Sequence, residues 1–136
     1  MSLPAPLVPV SWGELLDKVA ILEIKAGRIV DPAKRANVGR ELAALAPARD
    51  AALAAPAAAG LGELVDELKA VNEALWEIED EIRLAERAGD FGPRFVGLAR
   101  AVYRTNDRRA SLKRRINERL ASELVEEKSY PELAAA

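Results

Sequence analysis

From Leu61 to Ala85 the apolar residues Leu61, Leu64, Leu68, Val71, Leu75, Ile78, Ile82 and Ala85 recur at spacings that alternate between three and four. Such spacing puts all eight side chains on one stripe of an α-helix, whereas a strand would scatter them over both faces. An unbroken seam of more than three heptads calls for a helix of about 28 residues, roughly 42 Å long at 1.5 Å per residue. A stripe that long must be buried against another helix.

The chain supplies that partner next. Gly89, Asp90, Gly92 and Pro93 are strong turn chemistry. Phe95, Leu98, Val102, Leu112, Ile116 and Leu120 then mark a second seam. The expected fold class is all-α. A long antiparallel helical hairpin, about 61–88 and 93–121, packs with shorter N-terminal helices in a bundle. Strand-like alternation and solenoid-length repeats are absent from the sequence.

The shorter helices carry start signals. Ser11 is a good N-cap and Glu14 completes a capping box, which predicts a helix from about Trp12 to Arg28. Asp31 and Pro32 begin a second helix, in which Gly39 costs roughly 1 kcal/mol relative to alanine. Pro47 is expected to end it or start a new turn. Residues 46–60 read as an Ala/Pro-rich connector within a single domain spanning 1–136. Residues 1–10 read as an extended arm, since they carry no basic residue and two early prolines. Residues 131–136 read as a flexible tail.

Composition limits the chemistry. Aromatic residues are only 4% of the 136, so the core is aliphatic. There is no cysteine and no histidine, which removes thiolate metal sites, the commonest zinc ligand and any Ser-His or Cys-His nucleophile. A reducing cytoplasm is the natural setting. No apolar run approaches the roughly 20 residues that span a bilayer, so membrane insertion is not expected. Adjacent Glu79 and Asp80 point about 100° apart on a helix, so no metal ligand is assigned. No cofactor is implied.

Charge is unevenly spread. From Arg104 to Arg119 seven bases stand against two acids, a net of +5. From Glu63 to Glu86 nine acids stand against two bases, a net of -7. Folding the hairpin at Asp90 makes facing residue numbers sum to roughly 181, which sets the two stretches side by side. The basic helix is therefore expected to find its partner in the acidic one. With a formal net charge of -2 for the chain, nucleic acid is a poor partner.

Three helices also carry mixed polar stripes beside their seams: Glu14, Lys18, Lys25 and Arg28; Asn72, Glu79, Arg83 and Glu86; Tyr103, Asn106, Lys113 and Asn117. Arg109 lies on the apolar seam itself. A shared pocket between these stripes would suit an anionic, hydroxylated small molecule. The candidate ligand-binding residues are Lys18, Lys25, Glu79, Arg83, Arg100, Tyr103, Asn106 and Arg109. The competing reading is a semi-buried network that only fixes packing.

The strings SWGELLDKVAILEIK, ALWEIEDEIR, DFGPRF, LARAVYRTNDRRASLKRRIN and EEKSY together resemble a small bacterial all-helical family of unknown function. The resemblance runs from Ser11 to Tyr130 and skips the connector. It implies a bacterial cytoplasmic protein in sugar and cell-envelope glycosyltransferase settings, with no catalytic residue to carry over. Two functions follow as expectations. One is a non-enzymatic helical interaction module that binds a protein partner or an anionic metabolite. It would be a homodimer, because the hairpin exposes more seam than the short helices cover. The alternative is a small all-α enzyme that acts on an anionic sugar-derived or dicarboxylate substrate through Arg/Lys electrostatics, with Glu79 as a proton carrier.

Overall fold

The computed structural model describes residues 2–133. Each helix begins where the sequence offers a start. Helix α1 (Trp12–Arg28) opens on Ser11, whose hydroxyl accepts from the Glu14 amide at 3.1 Å. Helix α2 (Pro32–Ala54) opens on Asp31, whose carboxylate accepts from the Lys34 amide at 2.9 Å. After a single 3₁₀ turn at Pro56–Ala58, helix α3 (Leu61–Arg87) follows Gly60, which holds a left-handed φ of 79°. Helix α4 (Pro93–Arg119) starts on proline, whose missing amide costs nothing there. The turn between α3 and α4 uses Gly89 at φ 67° and an Asp90 carboxylate that accepts from the Gly92 amide at 3.2 Å. At 27 residues each, α3 and α4 are about 40 Å long. The described residues contain four α-helices and no strand, so the all-α bundle holds.

The core sits at the root of the hairpin, where α1 covers it. Leu61, Leu64, Leu68, Val71 and Leu75 of the α3 seam meet Leu112 and Ile116 of α4 and Leu16 of α1. Residues 2–10 form no helix or strand and stay exposed. The tail expected over 131–136 falls partly on 134–136, which lie outside the described residues.

Two expectations are corrected here. Pro47 does not end the second helix, which continues to Ala54 and takes in the first part of the segment read as a connector. Proline removes only the bond to the Ala43 carbonyl. Packing beyond it outweighs that loss: Arg49 reaches Glu23 at 3.0 Å, and Ala52 is buried in the core. The second correction concerns the paired charges. Among the described residues, Arg115–Glu67 at 3.9 Å is the one ion pair that joins α3 to α4. It lies close to the expected register, yet among the described residues Arg104 and Arg108 have no carboxylate within ion-pair reach. The two charge runs are out of phase, and exposed pairs are too weak to pull seam-packed helices into another register.

The N-terminus of α1 lies directly on α4. A Cβ added at Gly13 would stand 2.5 Å from the Lys113 carbonyl oxygen, while one at Gly39 would meet open space. The same substitution should therefore have opposite effects. Gly13→Ala is expected to destabilise the protein by about 1–3 kcal/mol through forced separation of α1 from α4. Gly39→Ala should stabilise it by about 0.5–1 kcal/mol through helix propensity. Urea unfolding of the two variants measures both.

Candidate functional site

Asp17 is the centre of the polar structure. It sits on α1 with only 1% of its surface exposed. Arg109 of α4 grips it with two donors: Nε reaches Oδ1 at 2.9 Å, and Nη2 contacts Oδ2. From α3, the Asn72 amide donates to the same Oδ1 at 2.8 Å. Asn106, one turn before Arg109, accepts from its Nη1 at 3.4 Å. One carboxylate thus ties three helices together. A bidentate guanidinium and an amide satisfy a charge that would be costly to bury alone.

A second cluster lies one turn further along α4. Lys113 is 6% exposed, and its ammonium donates to Glu14 at 2.7 Å and to Glu126 at 3.0 Å. The Glu14 side chain therefore serves Lys113 and does not close the capping box expected with the Ser11 amide. Asn117, also buried, accepts from the Gly13 amide at 2.6 Å. Ser122 accepts from the Trp12 amide at 3.2 Å. The first-turn amides of α1, orphans in an isolated helix, are met by Ser11, Asn117 and Ser122. Among the described residues no buried side-chain polar atom lacks a partner.

The pKa directions follow from these contacts. The hydrogen bonds that Arg109 donates to Asp17, helped by the charge of that carboxylate, hold the guanidinium above its ordinary pKa against the pull of burial. Burial lowers the affinity of Lys113 for its proton, but hydrogen bonds to Glu14 and Glu126 outweigh it and raise the pKa. Lys113 in turn lowers the pKa of Glu126.

Beyond α4 the chain crosses back over the helix as an extended strap, residues 122–133. Glu126 on Lys113 and Glu127 on Arg114, at 3.1 Å, fasten it. Leu124, Val125, Tyr130 and Leu133 are all exposed, so charge rather than apolar burial holds the strap. Between strap and helix lies a groove of about 770 Å³. Tyr103, Asn106, Arg109 and Lys113 line it from α4, and Lys128 and Tyr130 from the strap.

Of the eight candidates, the structure brings together Tyr103, Asn106 and Arg109 and leaves five elsewhere. Lys18 follows Asp17 but points toward α2, where it pairs with Glu41 at 2.9 Å. Lys25 is half-buried two turns further along α1. Glu79 pairs with Arg83 at 3.5 Å on the part of α3 beyond the end of α1. Arg100 is exposed on α4 and does not line the groove. The expectation of a shared pocket had treated each stripe as a straight line, whereas α1 reaches only half the hairpin. Asp17 was missed altogether. Its signal was available: Gly13, Asp17, Ala20 and Ile24 share one face of α1, and Asp17 is the single charge in that row of small and apolar residues.

The family model that describes a family of unknown function, DUF6165, matches residues 7–135. This chain belongs to that family. The resemblance to an all-helical family of unknown function is thereby shown, and the DUF6165 match spans the groove, the strap and the Asp17 cluster alike. No curated protein and no solved structure matches the chain. No helix among the described residues is long and apolar enough to cross a membrane.

Two tests follow from this geometry. Asp17→Ala leaves Arg109 and Asn72 facing an empty buried site, and is expected to cost about 3–5 kcal/mol, whereas Asp17→Leu combined with Arg109→Met should cost less than the two changes added. A thermodynamic cycle from denaturant unfolding reads the difference. The strap should also respond to pH. The lowered Glu126 pKa means that its contribution is present above the ordinary carboxylate value of about 4.3 and is lost as pH falls through the folded value. The raised Lys113 pKa means that its contribution is present below the ordinary lysine value of about 10.4 and is lost as pH rises through the folded value. Carbon-detected NMR relaxation of residues 122–133 should show an ordered strap across neutral pH and a mobile one at both extremes.

Proposed function

We propose that this chain is a non-enzymatic binding module whose groove between α4 and the strap takes an anionic, ring-bearing small molecule. One observation carries the reading. Arg109 and Lys113 face the groove with donors to spare, because Arg109 commits three of its five N–H groups and Lys113 two of its three. Arg109 is locked by the buried Asp17, and Lys113, itself buried, is held between the half-exposed Glu14 and Glu126, so a ligand phosphate or carboxylate meets preorganised donors at little entropic cost. Lys128, whose ammonium lies 3.5 Å from Glu126, adds a third cation, and the Tyr103 and Tyr130 rings offer faces for a sugar or aromatic ring. Such a site is mostly apolar with a few convergent polar groups, as small-molecule sites are.

The enzymatic alternative needs a proton carrier in the groove. Glu79 lies outside it, paired with Arg83; Asp107 is the carboxylate in the lining, and it makes no hydrogen bond or ion pair with the groove cations among the described residues, so binding without chemistry is the better reading. The same proposal includes a bacterial, reducing cytoplasm, supported by the family strings and the lack of cysteine. It also includes self-association through the coiled-coil seam of the long hairpin.

A panel of sugar phosphates, nucleotide sugars and dicarboxylates tests the groove by thermal shift and calorimetry. At least one member should raise Tm. Tyr103→Ala, Lys128→Ala and Tyr130→Ala, all at exposed side chains, should each weaken that ligand about tenfold, equivalent to about 1.4 kcal/mol, with the ligand-free Tm unchanged. A panel that leaves Tm unmoved, or three variants that bind like the wild type, would overturn the assignment.

A further inference from the structure

The seam of the hairpin is continuous in sequence but not in burial. At the root, Leu61, Leu64, Leu68, Val71 and Leu75 are nearly inaccessible. Beyond Leu75 the same stripe continues through Ile78 and Ile82, faced by Phe95, Leu98 and Val102, yet all five are only half-buried, and just the small Ala85 next to the turn is covered. The cause is the length of α1. Its last residue, Arg28, stacks on Trp76 with 5.9 Å to the ring centroid and pairs with Glu77 at 2.9 Å. From there to the turn the hairpin is two helices alone. A single seam between two helices covers only one side of each apolar side chain. Phe91, Val96 and Leu84 add exposed apolar surface to the same arm.

Charge on the arm is divided between its helices. Over Glu77–Arg87 of α3, five acids stand against two bases, a net of -3. Over Pro93–Arg104 of α4, Arg94, Arg100 and Arg104 stand without an acid, a net of +3. Among the described residues none of these three arginines has a carboxylate within ion-pair reach; the ion pairs of the arm acids run to Arg28 and, within α3, from Glu79 to Arg83. Each arm therefore presents an acidic edge and an equally basic edge, with an under-covered apolar seam between them.

We infer that this distal arm is the interface for a second copy of the chain. The inference rests on the self-association proposed above and gives it a place and a pairing. A two-fold axis along the hairpin lays α3 of one copy over α4 of the other, and the reverse, in one isologous contact. Both acidic edges then meet basic edges, and the half-buried seams close into a four-helix arrangement of the kind coiled-coil packing favours. A partner of one sign would satisfy only one edge; the chain itself satisfies both. Glu79, Arg83 and Arg100, which take no part in the groove, belong to this surface.

Sedimentation of the full chain at high micromolar concentration tests the inference. The wild type should run as a dimer that weakens as salt rises. Arg94→Glu, Arg100→Glu and Arg104→Glu together make both edges acidic, while Glu79→Arg, Glu81→Arg and Glu86→Arg together make both basic. Each triple variant should be folded by circular dichroism and monomeric. Their equal mixture should recover the dimer, because each α3 then meets an α4 of opposite sign. A monomeric wild type overturns self-association itself. A dimer that survives either triple change overturns the arm as its interface, and a mixture that stays monomeric overturns the α3-on-α4 pairing. Ligand binding in the groove is read separately by thermal shift on the same variants, so loss of one proposal leaves the other legible.

Discussion

One buried carboxylate fixes how α1 sits on α3 and α4. Asp17 is inaccessible, and its partners come from α3 and α4 through Asn72 and Arg109. Apolar packing between helices tolerates sliding by a turn at modest cost, because leucines exchange neighbours. A buried bidentate ion pair does not, since any shift strands a charge away from water. The seam thus specifies that α3 and α4 pair, and Asp17 specifies where α1 lies across them. Gly13 gives the close approach, and the Asn117 carbonyl meets the amide that the approach would otherwise leave buried.

That anchoring has a consequence for the groove. Arg109 and Lys113 are held because most of their donors are occupied, Arg109 by the buried Asp17 and Lys113 by the half-exposed Glu14 and Glu126. Both line the groove beside the strap. Fastening from behind turns flexible cations into fixed ones, and fixed donors discriminate between anions better than mobile surface lysines do. The strap is built on the opposite principle. Its aliphatic residues are exposed, and its contacts are carboxylates on cations. A segment held that way opens with a small change in free energy, which suits one wall of a binding groove.

Local features were legible in the sequence and long-range ones were not. Ser11, Asp31, Pro93 and the seam spacing placed the helix starts because caps and periodicity act within a turn or two. Pro47 misled because its local penalty was outweighed by tertiary contacts made elsewhere on α2. The acidic and basic runs misled for a different reason. Counting charge along two helices ignores phase, and among the described residues only Arg115 and Glu67 of the two runs meet across the hairpin. Asp17 stayed hidden because its partner is 92 residues away. Only its setting, one acid in a row of small and apolar residues, marked it.

The contrast between the two halves of the hairpin then becomes informative. One heptad pattern runs through both, so the sequence treats them alike. Selection for solubility alone would favour polar residues at Ile78, Ile82, Leu98 and Val102, where α1 no longer reaches. Apolar residues stand there instead, flanked by acids on α3 and arginines on α4 that find no partner across the hairpin. A stripe that keeps its heptad character beyond its intramolecular cover is costly to expose. Its persistence is physically consistent when another helical surface completes it, and the balanced, opposite charges of the two arm helices describe a surface complementary to the arm itself.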